Sequence, residues 1–424
     1  MTLVLALAVI VGTGAAGAAA ARLVRLPGVV GVMVAGMCLG PLVLGRVAPG
    51  GYETLFGPHT HDPLTTIGTL GACLFLFVAG ARHSAGRGDG TDTPNPARVV
   101  AALSIANALA ALLLGAVVSL ALPVLDVHLD LLQGAFLVLA LTALAIPVMV
   151  RIIDERGLTG SGPARIAVAV AVTTDIAVWV VLAVLGQLST GDGDGTLATR
   201  AAIAGGLVVL VLAGRRMLSR RRLPVHRPAV LVAVALACLA GGVAASLGVG
   251  LDPLIGSFGG GLMFAWVLRG AAAAVPVAPA ALSRAGGHVM TMALTVFFAS
   301  SAMVEPAIDD VARTLALAAA LTVTAIAVRA LAVASPALGP ARSGLTRDER
   351  RTCFWLVCAR GGTELALLRA GHDLGLIPPT LHTAAVLMTL LTTVLSAAFA
   401  RPRAAAMPPA ATRPARPAGA VVAD

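Results

Sequence analysis

The chain has 424 residues, of which 58% are hydrophobic and 12% charged, and its mean hydropathy is +0.94. A soluble surface of this size needs far more charge, so a water-soluble globular domain is excluded and the bilayer is the solvent that the composition fits. The net charge of +10 comes from arginine without a single lysine; those arginines sit in short loops between apolar runs, which excludes a nucleic-acid face.

The first apolar run, Thr2 to Ala21, lacks a basic start, ends at Arg22 and is longer than the apolar stretch of a cleaved signal, so it reads as a membrane helix. A spanning helix needs about 20 mostly apolar residues. On that measure the runs, punctuated by Gly, Pro and Arg, predict about thirteen spans near 2–21, 27–45, 64–81, 98–122, 131–153, 163–187, 197–214, 228–248, 252–268, 287–304, 311–334, 351–371 and 381–400. Loop charge alternates with this count. Arg22 and Arg25, then Arg82 and Arg87, Arg151 and Arg156, Arg215 to Arg227, Arg269 and Arg284, Arg342 to Arg351, and Arg401 onward fill the odd loops. The even loops carry Glu53, Asp62, Asp126, Asp130, Asp192, Asp194, Glu305, Asp309 and Asp310, with Arg46, Arg200 and Arg313 as their only arginines. The positive-inside rule then puts the odd loops and the C-terminus in the cytoplasm and the N-terminus outside.

Residues 401–424, rich in Pro, Ala and Arg, read as a short disordered cytoplasmic tail behind a membrane domain of residues 1–400. Gly191 to Gly195 resembles the start of a Ca²⁺ loop but lacks the later ligands, and reads as an exterior turn. Cys38, Cys73, Cys238, Cys353 and Cys358 all fall in apolar runs and read as small core side chains. No nucleophile–base set or metal cluster marks an enzyme; the eight histidines fall mostly in loops or at predicted helix ends. No cofactor is implied.

A charge at the centre of a spanning helix costs on the order of 2.5–3.5 kcal/mol on insertion scales, so ionisable residues there mark function by default. Asp175 sits midway along its apolar run, with only Thr173 and Thr174 as polar neighbours, and Arg329 is equally central in its own. Arg360 and Glu364 stand four residues apart in the twelfth run, a spacing that shares one helix face. Asp175 and Arg329 could instead form a purely structural ion pair, and Arg360 and Glu364 an internal one. Two runs also carry helix breakers: Pro147 in the fifth, Gly361 and Gly362 in the twelfth. Interrupted helices in corresponding halves point to a transporter's binding site. Spans four to six and eleven to thirteen then form two triplets of opposite topology, as in an inverted repeat.

These residues resemble the cation:proton antiporter superfamily, especially its bacterial and plant cation/proton exchanger branch. The resemblance runs through Leu26 to Gly31 with Ala35 to Pro41, Phe75 to Gly80, Thr142 to Pro147 with Arg151 to Leu158, Ala171 to Trp179, Phe297 to Ser301, Arg360 to Leu365 and Val386 to Thr393. It implies an all-α polytopic fold with two crossed, broken helices, a core near 98–187 and 311–400, panel or dimerisation helices near 1–81 and 197–304, and a homodimer. It implies Asp175 as the shared site for H⁺ and Na⁺ or K⁺, Thr142 and Thr174 as nearby oxygens, Arg329 as the basic partner, and Arg360 and Glu364 on the second broken helix. The chain differs from the family pattern at Thr174, where Asp or Asn is common, at Val32, where many relatives have Glu, and at Ala81-Arg82 after Gly80.

One carboxylate holds either a proton or a small hard cation. With Thr174 beside Asp175 in place of a second acid, one proton per cation and electroneutral exchange across the bacterial-type cytoplasmic membrane is the expectation. Arg329 cannot add a proton, since guanidinium stays charged. An exporter of a small organic compound on the same fold, and a relative that senses ions without moving them, are the competing readings.

Overall fold

The computed structural model describes residues 2–41, 43–85, 96–190, 228–248, 253–270, 292, 295–299 and 310–400. Among these, secondary structure is helical throughout. The helices are α1 (Thr2–Leu23), α2 (Gly28–Cys38), α3 (Leu44–Val47), α4 (Pro49–Phe56), α5 (Pro58–Ala85), α6 (Pro96–Ala121), α7 (Leu131–Thr142), α8 (Ile146–Glu155), α9 (Gly162–Thr190), α10 (Pro228–Gly248), α11 (Pro253–Gly270), α12 (Val311–Ala334), α13 (Pro340–Ser343), α14 (Arg347–Val357), α15 (Gly362–Asp373) and α16 (Pro379–Phe399).

Seven helical stretches among the described residues are long and apolar enough to cross a membrane, and Gly28–Cys38 and Asp62–Val78 are shorter apolar helices. The predicted seventh span lies outside the described residues, as does most of the tenth, so a count of thirteen is not established. The lipid-facing character shows on α6. Ile105, Leu109, Leu112, Leu113, Val117 and Leu120 recur at helical spacing and are all exposed, while Leu103, Asn107 and Ala111 on the other side are buried. An exposed leucine stripe beside a buried asparagine inverts the pattern of a soluble helix and suits hydrocarbon outside.

In α1, Ala6, Ile10, Gly14, Ala18 and Ala21 are buried, one stripe three or four residues apart. That stripe belongs to a helix closely packed on α2: a Cβ on Gly31 would run into the Gly17 carbonyl, so only glycine permits this approach. Helices α5, α10 and α11 form a second group. Helices α6, α7, α9, α12 and α16 form a third, around Phe136, Leu141, Leu182, Leu321 and Leu381. The five cysteines fit the expected packing role only in part. Cys73, Cys353 and Cys358 are buried and Cys238 is half-buried, but Cys38, the last residue of α2, is exposed; all five are free thiols.

The fifth and twelfth predicted spans are both interrupted. Residues 143–145 separate α7 from α8, and residues 358–361 separate α14 from α15. Pro147 bounds the first interruption: it has no N–H for the Ala143 carbonyl, so a continuous helix through 143–147 is disfavoured. It lies in the first turn of α8, where its missing N–H has no intrahelical partner to lose. Gly361 caps the start of α15 and Gly362 is its first residue. Arg360 therefore lies in the break, not on the same helix as Glu364.

Candidate functional site

Ending a helix inside the membrane leaves four carbonyls without intrahelical donors, and no water is present to meet them. In α7 the Leu139 carbonyl still accepts from the Ala143 N–H, 3.1 Å away, so the orphans are those of 140–143. Two buried arginines meet all four. The Arg360 guanidinium donates to the carbonyls of Ala140 at 2.9 Å and Leu141 at 3.0 Å. Arg329 donates to Thr142 at 3.2 Å and Ala143 at 2.6 Å. The planar fork of guanidinium suits this work, and its positive charge complements the negative end of the helix dipole.

The rest of the break is also bonded. The Thr363 hydroxyl donates to the Leu144 carbonyl at 3.3 Å, and the Met149 N–H donates to that of Ala145 at 3.1 Å. The second interruption is built the same way. Nε of Arg329 donates to the Val357 carbonyl at 3.2 Å, so one side chain serves both helix ends. The Thr393 hydroxyl donates to the Arg360 carbonyl at 2.6 Å and accepts from the Arg360 N–H at 3.1 Å. The two breaks touch where the Ala145 N–H meets the Ala359 carbonyl at 3.4 Å. A Cβ added at Gly361 would collide with Cγ2 of Val148 and lie 3.6 Å from Cβ of Ala145.

Asp175 lies midway along α9, 2% exposed, on a helix that packs against all four halves of the broken pair. The charges of Arg360, Glu364 and Asp175 all act on Arg329, so these four groups form one electrostatic cluster. The hydroxyl of Thr174 is buried with no hydrogen-bond partner. That of Thr142 donates to the Val138 carbonyl at 2.8 Å. Glu364, fully buried, pairs with Arg360 through Oε1.

Three side chains in this arrangement carry signals that the sequence offered weakly. Asn107, in α6, donates from Nδ2 to the Thr142 carbonyl at 3.1 Å and accepts from Arg329 through Oδ1. Its signal was a lone amide in an apolar run, which is costly in lipid without a partner. Thr363 and Thr393 stand inside motifs that the resemblance quoted, but their hydrogen bonds to the opposite chain segment had no sequence mark.

A family model described as "Sodium/hydrogen exchanger, transmembrane" matches residues 5–402. The chain belongs to the sodium/hydrogen exchanger family. Members of that family are transporters, and cation/proton antiport is the activity that comes with it. The chain is 24% identical over 396 residues to the Na⁺/H⁺ antiporter NhaS4 of Synechocystis sp., an alignment covering 87% of this chain and 89% of that one. It is 25% identical over 391 residues to cation/H⁺ antiporter 18 of Arabidopsis thaliana, covering 88% of this chain and 45% of that protein. With Arabidopsis cation/H⁺ antiporter 17 it shares 30% identity over 183 residues, covering 42% and 21%. The chain thus spans less than half the length of these Arabidopsis proteins. Among solved structures, the sodium proton antiporter MjNhaP1 from Methanocaldococcus jannaschii at pH 8 superposes with a TM-score of 0.57 at 16% identity, covering 94% of this chain and 96% of that one. The shared fold is that of an antiporter with crossed, broken helices.

Proposed function

We propose that Asp175 is the single site for which a monovalent cation, Na⁺ or K⁺, and the proton compete. The burial of Asp175 on a helix that packs against both broken helices carries this reading. Transporter ion sites form where interrupted helices bring backbone polar groups and helix dipoles to mid-membrane. Here the C-terminal ends of α7 and α14 are occupied by arginine, while the positive N-terminal ends of α8 and α15 face the same crossing. Thr174, with its unpartnered hydroxyl, and Thr142 supply neutral oxygens beside the carboxylate.

The coupling is competition. Ionised Asp175 takes a cation on one side of the membrane; the core, residues 98–187 and 311–400, then shifts against the panel helices, 1–81 and 197–304. A proton displaces the cation on the other side and the core returns. With one titrating acid and Thr174 next to it, one proton moves per cation and exchange is electroneutral. The loop charges support a cytoplasmic C-terminus and an outside N-terminus in a cytoplasmic membrane. A homodimer follows the family resemblance.

The test is dye-reported proton exchange in everted vesicles, with Na⁺, K⁺ and Li⁺ added in turn. Dequenching by one ion, absent in Asp175→Asn, names both ion and site. No response to any of them, with the protein present in the membrane, would favour the organic-compound exporter or the ion-sensing relative instead.

A further inference from the structure

Four ionisable side chains share the crossing of the broken helices: Arg329, Arg360, Asp175 and Glu364. With all four charged the cluster sums to zero. The two arginines are fixed cations, since guanidinium does not deprotonate in proteins. The balance therefore rests on the carboxylates, and only one of those is assigned to the ion.

Glu364 is more than an internal partner for Arg360. It belongs to α15, whereas Arg360 belongs to the break before it and spends its other donors on the end of α7. Only Oε1 of Glu364 meets Arg360. Oε2 is buried, and the Thr389 hydroxyl, which donates to the Ala385 carbonyl at 3.0 Å, is the other polar side chain at the carboxylate. The ion pair with Arg360 favours the ionised carboxylate, and the field of a buried charge is not screened by water. Other ionisable groups on the elements packed around α15 stand apart from it. Helix α7 has none, Arg151, Asp154 and Glu155 lie in the second half of α8, and His382 of α16 meets His372 with tilted rings near the other end of α15.

We infer that Glu364 is the compensating charge of the ion site: it offsets one of the two capping arginines so that ionised Asp175 faces a neutral surround and holds its cation tightly. It is a positioning residue, acting through charge and without touching the ion. The inference rests on Asp175 being the ion site.

Glu364→Gln keeps the shape and removes the charge. The cluster then carries an excess positive charge next to an incoming cation. The expected result is a KM for the transported ion, titrated as Na⁺ and K⁺ in proteoliposomes, raised about tenfold or more with kcat changed far less. Glu364→Asp, which restores the charge, returns KM most of the way. The double variant Arg360→Gln/Glu364→Gln is neutral again, retains amide donors for the α7 carbonyls and recovers KM relative to the single change. A structural role for Glu364 would make the double variant worse than the single one. Wild-type KM in Glu364→Gln, or a double variant with KM as high as the single, overturns the inference. If Glu364→Gln does not accumulate, the double variant carries the test alone, a near-wild-type KM supporting the inference and a tenfold rise overturning it. Asp175→Asn, measured alongside, separates the two failures: exchange that persists there overturns the ion site itself, whereas exchange lost there with KM unmoved in Glu364→Gln overturns only the role of Glu364.

Discussion

Arg329 and Arg360 divide the end of α7 between them, Arg360 taking the carbonyls of Ala140 and Leu141 and Arg329 those of Thr142 and Ala143. The arrangement ties four elements together, because Arg329 comes from α12, reaches Val357 at the end of α14, and meets Asn107 of α6. A membrane helix can stop halfway only if something replaces the missing donors. Here the replacements are fixed charges from α12 and from the second break, so the two breaks and their surround hold together as one body.

Removing Arg329 should therefore be costly. Arg329→Met strands carbonyls at both breaks, and each buried polar group left unsatisfied costs about 1–3 kcal/mol. Folded protein should fall sharply in a detergent thermal-stability scan. Arg329→Lys, with a point charge and three donors in place of the fork, should retain a fold with Tm lowered by several degrees and exchange much reduced. An Arg329→Met protein as stable as wild type would refute the capping role.

Asn107→Leu should destabilise by about 1–3 kcal/mol, since the Thr142 carbonyl loses a donor and Arg329 an acceptor. Asn107→Asp should leave the Thr142 carbonyl short of that donor but add a charge opposite Arg329. A Tm comparison of both variants with wild type reads the effect: Asn107→Leu is expected to be the least stable, and an Asn107→Leu protein as stable as wild type would mean that the amide contributes nothing.

Gly361→Ala places a methyl against Val148 at the contact of the two breaks. The neighbour is a branched side chain on a helix, with little room to yield, and over-packing of this kind costs about 1–3 kcal/mol. Lower Tm and slower exchange are expected together. Full exchange in Gly361→Ala would show that the breaks do not need this close approach.

Thr174→Asp introduces a second acid next to Asp175. If one titrating carboxylate makes wild-type exchange electroneutral, the variant should carry a second proton and generate current. Solid-supported-membrane recording should show no net charge movement in wild type and a transient in Thr174→Asp. A potential-dependent current in wild type would refute the one-proton stoichiometry.

Much of the fold was legible in the sequence because the bilayer enforces long apolar runs. The span predicted at 311–334 coincides with α12, Val311–Ala334. The interruptions were legible as existing, but not what holds them open. Pro147 marked the first, and the chain leaves the helix just before it, at Ala143, Leu144 and Ala145, since proline has no N–H for the Ala143 carbonyl. What holds them open is Arg329, Arg360 and Thr363, contributed from beyond position 328 and invisible to any local pattern. The four-residue spacing of Arg360 and Glu364 suggested a pair on one helix face. The pair exists, but it spans the start of α15, so Arg360 is free to turn its remaining donors to α7. Asn107 stood in an apolar run with a single amide to mark it, and its partners come from α7 and α12.

Proton release on cation binding tests the central claim most directly. Purified protein in weakly buffered detergent solution is titrated with the transported cation while pH is recorded, at a pH where the exchanger is active. Competition at one carboxylate predicts proton release that saturates with the cation, never exceeds one proton per site, and disappears in folded Asp175→Asn. Saturable release that persists in Asp175→Asn would contradict the account and place the exchange of proton for cation elsewhere in the molecule.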